Sequence, residues 1–219
     1  IIKHLVLGNG ESRKWFTPRK LNNVTTWACN AAYRDGIVDN LVSIDYGIQQ
    51  EICDSKYHRK NKCWFLDWNI LPASAADGLL MGFDFPENFI HTSKNVTDQC
   101  VIAGTDPITL NERIESAIKE FPHLDMRDLK LKMNKDIGVW ITYVDDNDTI
   151  ENIDFPRNWA AGNTAIHLAC QQEAKEVYLL GFDLNSPDRL INNIYKGTDY
   201  YFPENARGFI PAEWMNQLK

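Results

Sequence analysis

The sequence predicts an α/β protein: a mainly parallel sheet flanked by helices, with an inserted hairpin or lid region in the middle. Three observations predict it. Short apolar runs of strand length recur along the chain, at Ile1–Leu7, Val24–Cys29, Leu41–Ile44, Lys62–Leu66 and Val177–Leu180. Several of these runs stop on a polar residue: Asn9, Asn30, Asp45 and Asp183. A stretch rich in small residues, Ala160 to Ala174, reads as a helix that packs closely on a sheet just before the last and clearest strand.

The first run carries β-branched residues and ends in Gly8-Asn9-Gly10-Glu11-Ser12. Glycine turns sharply and lets backbone N–H groups approach a ligand, and a phosphate is the common guest where such a turn follows a parallel strand. Gly-Asn-Gly is also an ordinary turn, so this stretch alone leaves both readings open. Ser12 to Leu21 is polar, basic and interrupted by Pro18, which fits a short helix or an irregular loop. The second strand ends at Asn30, Asp35-Gly36 marks a turn, and the third ends at Asp45. Ile48 to Ile52 opens a helix, and Lys62–Leu66 is a fourth strand.

In an open parallel sheet the carboxyl ends of the strands share one edge, and ligands bind there where the strand order reverses. Polar residues at consecutive strand ends would line one crevice. Asn and Asp also end strands simply because they make turns.

The middle of the chain is less regular. Gly78 to Pro86 reads as a loop, and Gln99–Gly104 as a strand. Pro107 to Phe121 has helical spacing, with Pro122 to stop it. Gly138–Val144 is a strand, Asp145-Asp146-Asn147-Asp148 a turn, and Thr149–Phe155 its expected hairpin partner. The three aspartates lack the glycine and final glutamate of a calcium loop, so a solvated hairpin tip is expected there. No repeat, low-complexity tract or linker divides the chain. The expectation is one domain, 1–219, with an insertion at about 69–155.

Beyond the insertion, Ala160-Ala161-Gly162-Asn163-Thr164 leads into a helix for which Asn163 is a candidate cap. Its first turn offers backbone N–H groups to an anion. His167 lies inside this helix and reads as packed. After the strand ending at Asp183 comes Asn192–Tyr201, polar and Tyr-rich, where Tyr hydroxyls and Lys196 would lie near the strand ends. Pro211 to Leu218 is a terminal helix.

Composition narrows the function classes. The chain of 219 residues is 44% apolar, enough for a sizeable core, and its net charge is −7. That charge argues against general nucleic-acid or anionic-membrane binding, both of which need a basic face. No apolar run approaches the ~20 residues of a membrane span, and no signal-peptide pattern opens the chain. The five cysteines (Cys29, Cys53, Cys63, Cys100, Cys170) are scattered, with no Cys-x-x-Cys pair. Reduced thiols and a cytoplasmic location are therefore expected.

Leu7 to Ser12, Ala28-Cys29-Asn30, and the span from Gly162 to Val177-Tyr178-Leu179-Leu180-Gly181-Phe182-Asp183 together resemble a Rossmann-like superfamily. Its members include the bacterial sialyltransferases of glycosyltransferase family 42 and the MptE-like proteins, among them a pterin diphosphokinase. The resemblance covers about the first 50 residues and about 160–201. It implies a nucleotide site made of Gly8, Asn9, Gly10, Asn30, Gly162 and Asp183; Ser12, Asp45, Asn163 and Thr164, beside them in the sequence or at another strand end, are further candidate ligand-binding residues. Tyr195, and one of Tyr200 or Tyr201, would contact phosphate. Ala160-Ala161 stands where the sialyltransferases have Thr-Ser, and Gly162-Asn163-Thr164 is nearer the MptE-like pattern. All five histidines precede Asp183, so the sialyltransferase base, a histidine beyond that strand, has no counterpart.

The expected function is therefore a glycosyltransferase-like transferase that binds a CMP- or UDP-type nucleotide sugar, with no catalytic residue assigned and no metal. One alternative is an MptE-like diphosphotransferase needing Mg²⁺, with Asp45 and Asp183 as its ligands. Another is a non-catalytic nucleotide-binding protein. Asp45 or Asp183 would orient the ribose or act as base in the first reading.

Overall fold

A computed structural model describes residues 1–66, 70–72, 99–103, 140–144, 150–186 and 189–219. The Gly78–Pro86 loop, the Pro107–Phe121 helix and the Asp145, Asp146 and Asp148 tip lie outside these residues. The strands are β1 (Lys3–Leu7), β2 (Thr25–Cys29), β3 (Asn40–Ser43), β4 (Lys62–Leu66), β5 (Ile70–Pro72), β6 (Gln99–Ala103), β7 (Trp140–Val144), β8 (Ile150–Ile153) and β9 (Glu176–Leu180). The α-helices are α1 (Tyr46–Asp54), α2 (Ala161–Gln171) and α3 (Ala212–Gln217).

The fold is α/β and Rossmann-like: a six-stranded sheet in the order β8-β4-β3-β2-β1-β9, with helices. β1 pairs in parallel with β2 and with β9, and β2 with β3. A separate antiparallel sheet has the order β5-β6-β7. Here one expectation is corrected. β8 does not return as a hairpin on β7; it stands next to β4 in the larger sheet. Its short apolar-polar pattern fits either sheet, and only the long-range partner decides.

The chain divides into two compact units. The first contains Ile1–Ile44, Asn61–Trp64 and Asp154–Lys219, and the second Asp45–Lys60 and Phe65–Ile153. In the first, α2 packs across β1, β2 and β3 through Ala165, Leu168 and Ala169, all buried. Val6, Leu7, Trp27, Ala28, Leu41 and Val42 supply the strand side of this core. A fully buried Leu contributes about 1.5–3 kcal/mol relative to leaving it in water. In the second unit, α1 packs against β7, and Gln49 donates to the Leu66 carbonyl at 3.0 Å. Among the described residues, no helix is long and apolar enough to cross a membrane.

Several polar side chains inside the first unit are matched. Thr26 donates through its backbone N–H and its hydroxyl to Asp39 Oδ2, each at 2.8 Å. Trp64 Nε1 donates to Asn40 Oδ1 at 3.0 Å. Trp27 Nε1 donates to His4 Nδ1 at 3.0 Å, with the two rings stacked. Nδ1 is thus an acceptor, and burial holds the His4 imidazole below its ordinary 6.5.

A pH dependence follows. With its native pKa depressed, His4 binds fewer protons folded than unfolded. Its stabilisation is complete above 6.5 and is lost as the pH falls through the native value. Glu11 and Glu176, both below the ordinary 4.5, add losses only further into acid. In urea titrations across this range, His4→Gln, which keeps an acceptor for Trp27, is expected to lack the first loss. A wild type and a variant that weaken in parallel just below pH 6.5 would refute the assignment.

Candidate functional site

The register of the sheet decides which sequence-predicted residues meet. Leu7 lies opposite both Ala28 and Leu180, and Ala28 opposite Leu41. The chain therefore leaves β1, β2 and β9 at one level, with Asn9, Asn30 and Asp183 along a single carboxyl edge. The order of the sheet reverses at β1: successive strands run outward through β2 and β3 on one side, while β9 flanks the other. In open α/β sheets this reversal is where ligands bind.

The glycine turn is built against β9. Gly8 donates to the Leu180 carbonyl and Gly10 to the Gly181 carbonyl, both at 2.8 Å. A Cβ on Gly8 would lie 2.5 Å from the Gly181 oxygen, and one on Gly10 would lie 2.6 Å from it. The two glycines are thus required by the neighbouring backbone, and these two N–H groups have intramolecular acceptors. Sequence reasoning offered them to a phosphate.

The residues after the turn form a short 3₁₀ turn, Glu11–Arg13. Asp183 accepts from the Ser12 N–H at 3.0 Å and, through its other oxygen, from the Ser12 hydroxyl. Asn192 Oδ1 accepts from the Glu11 N–H at 2.8 Å. Ser12 and Asp183, both named from the sequence, are therefore direct partners.

Beneath the turn lies a charged side chain that sequence reasoning missed. Arg13 is 1% exposed. Its Nε donates to the Gly8 carbonyl at 2.6 Å, and Nη2 donates to Asn9 Oδ1 at 3.1 Å and to the Tyr195 hydroxyl at 3.2 Å. Nη1 reaches the Phe16 carbonyl at 3.3 Å. Asn9 uses its amide on the Cys29 carbonyl at 3.2 Å, tying β1 to the end of β2. Tyr195 in turn donates to Asp35 Oδ2 at 2.6 Å. Burial, and then the Asp35 carboxylate, raise the Tyr195 phenol above its ordinary 10, with Arg13 working against them. The hydroxyl is neutral at physiological pH and engaged on both sides.

Asn30 follows β2 with φ 50° and opens a 3₁₀ turn, Asn30–Arg34. Asn tolerates this left-handed backbone better than most residues. The next N–H, of Ala31, donates to the Tyr201 hydroxyl at 3.2 Å. Arg34 donates to Thr198 Oγ1 at 2.8 Å and to the Asp199 carbonyl at 3.2 Å. Ile194 N–H donates to the Asn9 carbonyl at 2.8 Å. The segment after β9 is thereby fastened to the ends of both β1 and β2.

Gly162, Asn163 and Thr164 form the first turn of α2, whose N-terminal boundary is Ala160. Asn163 is not the cap. Its buried amide instead donates to the Trp214 carbonyl at 3.0 Å and to Gln217 Oε1 at 2.8 Å. Gln217 Oε1 also accepts from the Ala160 N–H at 3.1 Å. Gln217, 54 residues beyond Asn163, thus ties the Asn163 side chain and the Ala160 N–H to α3. The Phe182 ring joins this turn to the first, since a Cβ on Gly162 would lie 2.9 Å from it and one on Gly8 would lie 3.2 Å from it. Thr164 returns its hydroxyl to the Ala160 carbonyl at 3.1 Å. His167 packs edge-on against Phe155 and Trp159, as expected of a packed residue. Asp45 is exposed, flanks the start of α1 and belongs to the second unit.

The site so far consists of two constellations: Asn9, Arg13, Tyr195 and Asp35 below the glycine turn, and Ser12 with Asp183 beside it. Lys14 and Lys196 reach Glu11 above them, each Nζ 3.0 Å from Oε1. Among the described residues, no group of three or more His, Cys, Asp or Glu is gathered as a metal ion would require. Arg13 carries no periodic or motif signal in the sequence, Asp35 is marked only as part of a turn, and Phe182 only as part of the end of the last strand. Comparison with protein-family models, curated proteins and solved structures finds no match to this chain.

Proposed function

We propose that this chain binds a nucleotide-activated sugar of the CMP or UDP type along the carboxyl edge of β1, β2 and β9. In this reading it acts as a glycosyltransferase-like transferase. The observation that carries the proposal is the reversal of strand order at β1, which coincides with Asn9, Asn30 and Asp183 on one edge. In the reaction, an acceptor hydroxyl attacks the anomeric carbon while the bond from that carbon to the phosphate oxygen breaks. The electron pair leaves with the phosphate, and the acceptor's proton goes to a base that no residue here is assigned to. The first turn of α2, with Gly162 and Asn163, is the place for the departing phosphate, because a helix N-terminus favours negative charge. In this reading Asn30, at the end of β2, contacts the nucleotide.

A second reading, a nucleotide-binding protein without catalysis, is favoured by a specific observation. Asn9, Arg13, Tyr195, Ser12 and Asp183 satisfy one another. For a Mg²⁺-dependent diphosphotransferase, Asp183 would have to exchange its two Ser12 contacts for the ion. The thiols of Cys29, Cys53, Cys63 and Cys170 are not in disulfides, which supports a cytoplasmic setting.

A thermal-shift screen with CMP, UDP, GDP and ATP, each with and without Mg²⁺, tests the proposal. Ligand at about 100 times its Kd stabilises by ~2.7 kcal/mol, or roughly 5–10 °C for a chain of this size. A metal-independent shift with CMP or UDP is expected. It should be lost in Asn30→Gly, which keeps the left-handed backbone and removes only the side chain. A shift with ATP that requires Mg²⁺ would favour the diphosphotransferase, and no shift with any nucleotide would overturn both nucleotide readings.

A further inference from the structure

We propose that Lys14 and Lys196 form a diphosphate-binding pair at the carboxyl end of β1, and that the Glu11 carboxylate holds the ligand's place between them. The ligand class rests on the UDP form of the nucleotide reading above, because a CMP-sugar carries a single, singly charged phosphate; the geometry does not. Both ammonium groups approach the same oxygen, Glu11 Oε1, at 3.0 Å. Two charge-assisted donors converging on one anionic oxygen is also the arrangement a phosphate oxygen accepts.

Three further features single out this cluster. Lys196 has only 21% of its side chain exposed, which is unusual for a lysine, and its Nζ also lies 3.5 Å from the Ile191 carbonyl. A partly exposed ion pair adds little to stability, so stability alone is a weak reason to enclose it. The backbone around the cluster is fixed, with Glu11 N–H on Asn192 Oδ1 and Ile194 N–H on the Asn9 carbonyl. Exchange of an anion therefore needs only the Glu11 side chain, itself 33% exposed, to rotate outward.

Charge favours the exchange. Two ammonium groups face one carboxylate, which Lys14 and then Lys196 hold below its ordinary 4.5, so it is ionised at neutral pH. A diphosphate brings more negative charge to the same two donors. Glu11 would then act as a built-in competitor that keeps singly charged anions out. The cluster lies directly after the glycine turn, at the reversal point of the sheet, where the phosphates of a nucleotide would pass on their way to the edge.

Titration calorimetry of the full chain with inorganic pyrophosphate, at low salt, tests this. Glu11→Gln is expected to bind pyrophosphate about tenfold more tightly than wild type, and Lys196→Met about tenfold more weakly, because each alters one charged contact. Added salt should weaken all of them. Lys14→Met, altered at a largely exposed position, gives the same reading if Lys196→Met folds poorly. The proposal is overturned if Glu11→Gln binds no more tightly than wild type, or if both lysine variants bind as wild type does. Lysine-dependent pyrophosphate binding without any nucleotide response would sink the nucleotide reading alone. A UDP response indifferent to Glu11, Lys14 and Lys196 would sink this one alone.

Discussion

Arg13→Met is expected to lower the unfolding free energy by about 3–5 kcal/mol, the range for removing one partner of a buried charged network. The methionine fills much of the aliphatic volume, so the loss measures the guanidinium rather than a cavity. It would leave the Gly8 carbonyl, Asn9 Oδ1 and the Tyr195 hydroxyl each short of a donor. Arg13→Lys should recover only part of this, since one ammonium cannot reach four acceptors lying in different directions. Urea unfolding checks both: the midpoint should fall with the slope unchanged. The Tyr195 link gives a sharper test. Tyr195→Phe removes both the hydroxyl that accepts from Arg13 and its bond to Asp35, at 3.2 Å and 2.6 Å. In the Arg13→Met background it should cost about 1 kcal/mol less than in wild type, because the two side chains share one network. An Arg13→Met variant within about 1 kcal/mol of wild type would show that the network is not what fastens the turn.

That network marks the boundary of what the chain discloses locally. Most strands were legible because short apolar runs have few alternatives: Lys62–Leu66 is β4 residue for residue, and the other expected strands differ only at their ends, while the three-residue β5 carries no such run. The polar strand ends were legible too, because Asn9, Asn30 and Asp183 interrupt those runs. What these side chains do was not. Arg13 stands in a polar, basic stretch, and nothing local distinguishes an arginine that lies under its own turn from one in water. Asn163 sits where a helix cap belongs, yet its acceptors, Trp214 and Gln217, come from the far end of the chain. β8 lies beside β4 rather than β7 for the same reason, since its pairing is set by a partner distant in sequence. Asp45 was grouped with the other strand ends by its position after β3, although it belongs to the second compact unit.

The glycine turn permits the most direct separation of architecture from binding. If Gly8 and Gly10 are glycines so that a ligand can approach, Gly8→Ala and Gly10→Ala should fold normally and lose only affinity. The geometry predicts the opposite order of effects. Each added methyl would lie within 2.6 Å of the Gly181 carbonyl oxygen, and for Gly10 also 2.6 Å from the Asp183 carboxyl carbon. Backbone on a paired strand end cannot retreat as a flexible side chain would, so the two turns must separate. Overpacking of this kind costs about 1–3 kcal/mol, and each lost backbone hydrogen bond about 1 kcal/mol more. The Gly8 bond to Leu180 and the Gly10 bond to Gly181 both lie in the contact that would open. Either substitution is therefore expected to destabilise the free protein by about 3 kcal/mol, lowering its thermal midpoint by roughly 6–12 °C. The two should be markedly non-additive, since one separation of the turns relieves both clashes. An unchanged midpoint for Gly10→Ala, with nucleotide or pyrophosphate binding abolished, would return the turn to the role of a phosphate cradle. The expected result confines the proposed phosphate contacts to the lysines above the turn and the first turn of α2, with β1 and β9 held in register by glycines whose replacement the Gly181 carbonyl opposes.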